Sequence, residues 1–223
     1  MNKKFIIGLT TTILCFAFVF SVSAQTNALA RDNIKTKRTE LNTQLKNERE
    51  AAKKRLETAR KEAKKAAETR RAELKDKIGK LRDEKKKQIA MRLNEQLAHI
   101  NTQWTDHFNK VLNRLSEILS KVELRTSKAE SNGKNVASVK AAIQNAKTAI
   151  ETARTAVETQ AKKTYIADFS SEQELRAAFK AVKEQLRKDL FGLRDGAMKS
   201  AREAVQNALQ SLKNVPSVDE EPK

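Results

Sequence analysis

Residues 111–150 have the sequence VLNRLSEILSKVELRTSKAESNGKNVASVKAAIQNAKTAI, which predicts two helices joined by a short turn. The turn falls at residues 129–135, because Gly133 can adopt the left-handed conformation that ends a helix and Asn135 suits the N-cap of the next one. Beyond the turn, apolar residues alternate at spacings of three and four, as in a heptad seam: Val136, Val139, Ile143, Ala146, Ile150, Ala153 and Val157. The segment therefore predicts an antiparallel helical hairpin.

Upstream of this turn, an apolar stripe recurs every eleven residues, at Leu45, Leu56, Ala67, Ile78, Ile89, Ile100, Val111 and Val122. A repeat of eleven residues in three turns is typical of a nearly straight helix. Proline occurs only at Pro216 and Pro222, so no proline ring interrupts the pattern. The stripe predicts one continuous helix from about Asp32 to about Lys128.

The residues that flank this stripe change from basic to apolar near residue 88. Before that point basic residues flank it, whereas beyond it Leu93, Trp104 and Phe108 widen the apolar face until it needs partner helices. We therefore predict a charged helical arm, residues 25–88, that has no partner within the chain. Favourable i,i+4 charge pairs favour a lone helix, and a thin seam of leucines also suits a dimeric coiled coil.

The arm is expected to continue into an antiparallel three-helix bundle, residues 89–213, with helices at about 89–128, 136–165 and 172–213. Ser171 and Glu174 form a capping-box pattern that opens the third helix. The acidic, proline-containing tail at 214–223 is predicted to be disordered. The predicted fold class is all-α: a long N-terminal charged helix or coiled-coil arm that continues into an antiparallel three-helix bundle.

Residues 1–24 have the organisation of a secretory signal peptide. Lys3 and Lys4 precede sixteen mostly apolar residues, and small residues lead up to a predicted cut between Ala24 and Gln25. A retained anchor is the alternative, although sixteen residues are fewer than the ~20 of a membrane span. Cleavage removes the only cysteine, Cys15, so the mature chain has no thiol. We predict a periplasmic or extracellular protein associated with the cell envelope.

The composition disfavours an enzyme. The 223 residues include only five Gly and two Pro, and 4% of them are aromatic, so turns and bulky pocket walls are scarce. Glu95, His99 and His107 share one helix face but fall short of a tetrahedral metal site. We predict no catalytic residue, no cofactor, no metal and no small-molecule substrate.

The chain has 46 Lys plus Arg against 28 Asp plus Glu, a formal net charge of +18. Two basic ribbons follow the eleven-residue repeat of the arm: Arg49, Arg60, Arg71 and Arg82, and Lys53, Lys64, Lys75 and Lys86. A linear polyanion that binds such a row releases counterions. The ribbons are therefore candidate contacts for an anionic envelope polymer or surface, or for non-specific nucleic acid. The alternative is a solvated face that keeps a lone helix soluble.

Residues 111–150 resemble a group of uncharacterised exported bacterial helical-hairpin, or coiled-coil, proteins. The resemblance rests on these segments: Arg114-Leu115, Ile118-Leu119, Arg125, Lys128-Ala129-Glu130, Asn132-Gly133-Lys134-Asn135-Val136 and Ala146-Lys147-Thr148-Ala149-Ile150. It implies helical topology and export. The small size, export signal, basic charge and long helices are also similar, more weakly, to the Skp/OmpH type of periplasmic chaperone, which implies a holdase activity.

Together these features predict a structural or interaction protein of the bacterial cell envelope that acts as a basic helical spacer or adhesion element. A protein partner, or self-association through the helices, is part of this expectation. A periplasmic holdase-type chaperone and a non-specific polyanion or nucleic-acid binder are the alternatives.

Overall fold

The computed structural model describes residues 14–216, with side chains described at residue 29 and from residue 31 onward. The described helices are α1 (Leu14–Ala66), α2 (Glu68–Gly79), α3 (Glu84–Ser131), α4 (Ala137–Ala161), α5 (Leu175–Leu193) and α6 (Lys199–Lys213). A π-helical segment, Arg194–Met198, joins the last two. Residues 14–216 contain no β-strand, and the long helices pack as a bundle. The predicted all-α, helical-bundle class is confirmed.

The predicted continuous helix from Asp32 to Lys128 is wrong, because the chain reverses direction between α2 and α3. Helix α2 ends at Gly79, and α3 begins only at Glu84. The side chain of Asp83 caps α3, accepting hydrogen bonds from the backbone N–H groups of Lys85 at 2.8 Å and Lys86 at 3.2 Å. This cap satisfies two of the four N–H groups that a helix start leaves without a partner.

The prediction that the arm has no partner within the chain is also wrong. Helix α1 packs along α3 and α4 in the direction opposite to α3, as the ion pairs Lys37–Glu123 and Arg60–Asp106 show. Its apolar stripe is buried at Leu41, Ala52, Leu56, Ala59, Ala63 and, in the loop to α2, Ala67. Alanine at most of these positions lets α1 approach its neighbours closely, so a narrow stripe suffices to hold it.

The hairpin between α3 and α4 forms as the sequence predicts. Gly133 has a φ of 72°, and the N–H of Lys134 donates to the carbonyl of Ala129 at 3.0 Å. The Asn135 side chain accepts from the N–H of Ala137 at 3.1 Å, at the start of α4. All seven residues of the heptad seam are buried. The close seam explains why α3 and α4 form the most extensive helix contact in the bundle.

The later helices depart from their predicted boundaries. Helix α4 ends at Ala161 rather than near residue 165, and residues 163–169 then run without helix along α2 and α3. The third helix is interrupted near Gly196, whose φ of −92° and ψ of −105° lie outside the helical region. Both halves return along α3 and α4.

Some terminal predictions lie outside the described residues. These are the first thirteen residues of the signal peptide and residues 217–223 of the tail. At the start of the tail, Val215 is buried against the bundle. Helix α1 continues through Ala24 and Gln25. Within the described residues, no helix is both long and apolar enough to cross a membrane.

A charged side chain at Ala59 tests the packing of α1. Ala59 is 1% exposed in the seam, whereas Ala51 on the same helix is exposed. We expect Ala59→Arg to lower the free energy of unfolding by about 1–3 kcal/mol through overpacking, and Ala51→Arg to have little effect. Urea unfolding followed by circular dichroism measures both. Equal stability of the two variants would show that α1 does not pack on the bundle.

Candidate anion-binding cleft

The two predicted basic ribbons lie in different environments. Arg49, Arg60 and Arg71 are half-buried, whereas Lys53, Lys64 and Lys75 are exposed. The physical reason is their offset from the apolar stripe: four residues along a helix rotate a position by about 40°, and eight residues by about 80°. Arg49, Arg60 and Arg71 therefore lie at the edge of the seam, and the lysine ribbon faces outward. The fourth arginine, Arg82, is exposed.

Two of the arginines hold α1 on α3. Arg49 forms an ion pair with Glu117. The Arg60 guanidinium donates to Asp106 Oδ1 at 2.8 Å, to Thr105 Oγ1 at 2.7 Å and to the carbonyl of Thr102 at 3.2 Å. All three bonds are donated by Nη2 of Arg60, whereas its buried Nε has no hydrogen-bond partner among the described residues.

Arg82 and Lys86, the last residues of the two ribbons, stabilise the reversal between α2 and α3. Lys86 pairs with Glu172, which precedes α5, and this hydrogen bond lowers the pKa of the Glu172 carboxyl. The backbone N–H of Arg82 donates to the same carboxylate at 3.4 Å. At the other end, Lys53 lies 3.9 Å from Glu57, one turn along α1.

Three predicted residues, Arg60, Lys64 and Arg71, line a single cleft of about 360 Å³ between α1, α2, α3 and the segment after α4. That segment contributes Lys163, and α3 contributes Glu95, the one carboxylate of the lining. Periodicity did not reveal Lys163, because it is about a hundred residues from Lys64 and joins the cleft only through tertiary packing. Its only sequence signal is the Lys162-Lys163 pair itself.

The four cations of the cleft differ in how they are compensated. Arg60 is paired with Asp106, and Lys163 lies 3.2 Å from Asp189. Within residues 31–216, Lys64 and Arg71 have no carboxylate within ion-pair distance. The cleft therefore contains two cations without an ion-pair partner among the described residues.

A chain of buried polar groups fixes the wall that carries Lys163. The Tyr165 hydroxyl donates to Asp189 Oδ2 at 2.7 Å and accepts from Gln160 Nε2 at 2.7 Å. Gln160 also donates to Asn101 Oδ1 at 2.9 Å, and Asn101 donates to the carbonyl of Lys163 at 3.2 Å. These bonds join α3, α4 and α5 around residues 163–165, so the cleft wall is held from three sides.

Protonation reinforces this network. Burial, helped by the hydrogen bond to Asp189, raises the pKa of Tyr165, so the phenol keeps its proton and remains a donor. Burial alone would raise the pKa of Asp189, but hydrogen bonds from Tyr165 and Lys163 outweigh it and hold this pKa below its usual value. A neutral phenol and an ionised carboxylate are the pair that this geometry requires.

Arg154 is a buried cation, beside a cleft of about 270 Å³ between α1, α3 and α4. It donates to Asn109 at 3.2 Å, Asn113 at 2.9 Å and Ser116 at 3.2 Å, and burial lowers its pKa. The carboxylates of Glu48, Glu123 and Glu151 line the same cleft. Because its buried guanidinium donates to three side chains of α3, we assign Arg154 to packing of the bundle.

The cleft has the chemistry of anion binding. Lysine and arginine side chains can donate hydrogen bonds to phosphate, sulfate or carboxylate oxygens. Asn94 and Thr102 add neutral polar groups to the lining. Among the described residues, no three His, Cys, Asp or Glu side chains are grouped to hold a metal ion. No family model, no curated protein and no solved structure matches this chain.

The pKa of Asp189 predicts an acid-sensitive contribution to stability. Its folded-state pKa is below the value of about 3.9 of an unfolded aspartate, so the ionised group stabilises the fold above that pH. This contribution is lost as the pH falls below about 4 through the folded-state value. We expect Asp189→Asn to lower stability at pH 7 and to lose less stability between pH 5 and pH 3 than the unmodified chain.

Urea unfolding at each pH measures this difference, with Asp32→Asn, at an exposed position on α1, as the control. An unchanged dependence on pH in the Asp189→Asn chain would contradict the assignment.

Proposed function

We propose that the chain is an exported protein of the bacterial cell envelope that binds a linear anionic polymer or surface and acts as an adhesion element. The observation that supports this proposal is the cationic cleft, in which Lys64 and Arg71 lie together without a carboxylate partner among the described residues. Binding would be electrostatic and would weaken as salt rises.

The exposed lysines of the arm extend the cleft into a row. Lys53 and Lys75 lie eleven residues to either side of Lys64, and all three are exposed. Eleven residues of helix correspond to about 16.5 Å. A polymer that lies along α1 would thus meet Lys53 about 16.5 Å from Lys64, and Lys75 follows on α2, beyond the break in the helix at Ala67. Repeated weak contacts of this kind give adhesion without recognition of one particular sequence.

The length of the bundle is suited to a spacer, which would hold two bound surfaces or polymers apart. Helix α3 has 48 residues, which corresponds to about 72 Å of rigid rod. Because α1 packs along this rod, the spacer would be the bundle itself rather than a free arm.

Removing the two uncompensated cations should weaken polyanion binding. We expect Lys64→Gln/Arg71→Gln to bind less tightly and to reduce the slope of log Kd against log salt by about two, one for each lost phosphate contact. Fluorescence anisotropy with a labelled duplex DNA and with a labelled polyuronate measures this and distinguishes phosphate from carboxylate polymers.

The matched control is Lys110→Gln/Lys121→Gln, which removes the same charge from exposed positions on α3. Equal weakening in the control would assign binding to net charge and exclude the cleft. Absence of binding by the unmodified chain to both polymers would refute the proposed function.

Export is part of the proposal and has its own test. We expect the protein recovered from the envelope or medium of an expressing bacterium to begin at Gln25, because signal peptidase accepts the small residues that end at Ala24. Intact-mass measurement and N-terminal sequencing determine this. A protein that retains Met1 and cannot be extracted by salt would instead support the anchor.

A further inference from the structure

A third concave surface lies between the start of α3 and α5. It has a volume of about 420 Å³. Its floor is apolar and consists of Ile89, Ala90, Leu93 and Leu97 from α3 and Leu175 and Phe179 from α5. We call it the α3/α5 groove. It shares no lining residue with the cationic cleft.

The apolar stripe of α3 is covered at one end and bare at the other. Val122 is 1% exposed, and Val111, eleven residues earlier, packs partly buried against the core. The next positions on the stripe, Ile100 and Ile89, are 36% and 56% exposed, and Leu93 beside them is 36% exposed. The periodicity that makes the stripe a packing face at Val122 therefore continues into a region where it is unpaired.

The end of α4 explains this change. Gln160, at the C-terminal end of α4, contacts Asn101 of α3, so residues 84–100 of α3 extend beyond α4. The chain that follows α4 passes α2 and the start of α3 without forming a helix, as the contacts Lys77–Asp168 and Lys86–Glu172 show. This part of the bundle lacks α4, and the groove is the space left between α3 and α5.

One rim of the groove is cationic along its length. Arg176, Lys180 and Lys183 follow one another at four and three residues on α5 and line the groove. None of them has an ion-pair partner among residues 31–216. The row spans about 10.5 Å, with roughly one charge per helical turn. Across the groove, the charge of Lys86 is already compensated by Glu172.

The floor and the rim together select the occupant. A second copy of this chain, docked groove to groove, would bring the same three cations face to face, which is repulsive. A single acyl chain carries its anionic group at one end, whereas the cations are distributed along the groove. An α-helix with an apolar stripe and one carboxylate per turn on its flank matches both features. We infer that the α3/α5 groove docks an acidic amphipathic helix of a partner protein.

The probe is a fluorescein-labelled helical peptide of eighteen residues, with leucine on one face and glutamate on the flanks. A second peptide has lysine in place of each glutamate. Anisotropy titrations use the whole mature chain at near-physiological salt. We expect saturable binding of the glutamate peptide, at least tenfold tighter than that of the lysine peptide. Equal affinity for both peptides would overturn the inference in favour of a charge-independent, holdase-like surface.

Variants locate the site. We expect Lys180→Gln/Lys183→Gln and, separately, Ile89→Gln/Leu93→Gln to weaken binding of the glutamate peptide at least fivefold. All four side chains are at least 36% exposed, so the fold should tolerate these changes, and thermal unfolding checks that it does. The charge-matched control Lys110→Gln/Lys121→Gln should bind as the unmodified chain does. Peptide binding that is unaffected by both groove variants would refute the site.

Two further measurements test whether a second copy of the chain or a lipid occupies the groove instead. Sedimentation of the mature chain should show no dimer that depends on Ile89 and Leu93; such a dimer would assign the groove to a second copy. Vesicles of phosphatidylglycerol should not compete with the glutamate peptide. Direct binding of the vesicles by the unmodified chain that is lost in the Ile89→Gln/Leu93→Gln chain would assign the groove to lipid. The Lys64→Gln/Arg71→Gln chain should retain peptide binding, so failure of polyanion binding does not affect this inference.

Discussion

The antiparallel packing of α1 on α3 determines most of what the bundle can do. Its apolar part is a stripe of alanines and leucines that brings two long helices close together, and its polar part is the set of bonds that Arg60 makes with Asp106, Thr105 and Thr102. Because α1 is held in this register, Lys64 lines one cleft together with Arg71 of α2 and Lys163. A free arm would present the same basic residues along a convex rod, and no cleft would form.

The same packing gives the arginines and lysines of the two ribbons different environments. At the edge of the seam a cation must satisfy acceptors on a neighbouring helix, and the guanidinium group can donate in several directions at once. Farther around α1 a cation faces water, where a lysine retains its hydration and remains available to a ligand. The eleven-residue repeat keeps the two residue types in register. Arg49 and Arg60 form interhelical bonds, whereas Lys53, Lys64 and Lys75 remain exposed to water.

The hairpin of α3 and α4 was predictable because its signals are local and strong: a glycine with positive φ, an asparagine cap and a heptad of buried apolar residues. The reversal between α2 and α3 was not, because its signals are weak. Asp83 is one acidic residue among many charges, and Gly79 is a lone glycine that a helix tolerates. Nothing in the stripe itself distinguishes a helix that continues through residue 80 from two helices that fold together there.

The sequence by itself determined the all-α class, the turn at Gly133, the seam of α4 and the periodic placement of basic residues on α1 and α2, because each depends on hydrogen bonds and side-chain spacings within a few turns of one helix. Only the tertiary structure decided which stripes pair, where the chain reverses, and that Lys163, Tyr165 and Asp189 support the cleft. Apolar stripes are complementary to many partners, so the choice among them depends on the geometry of the whole bundle.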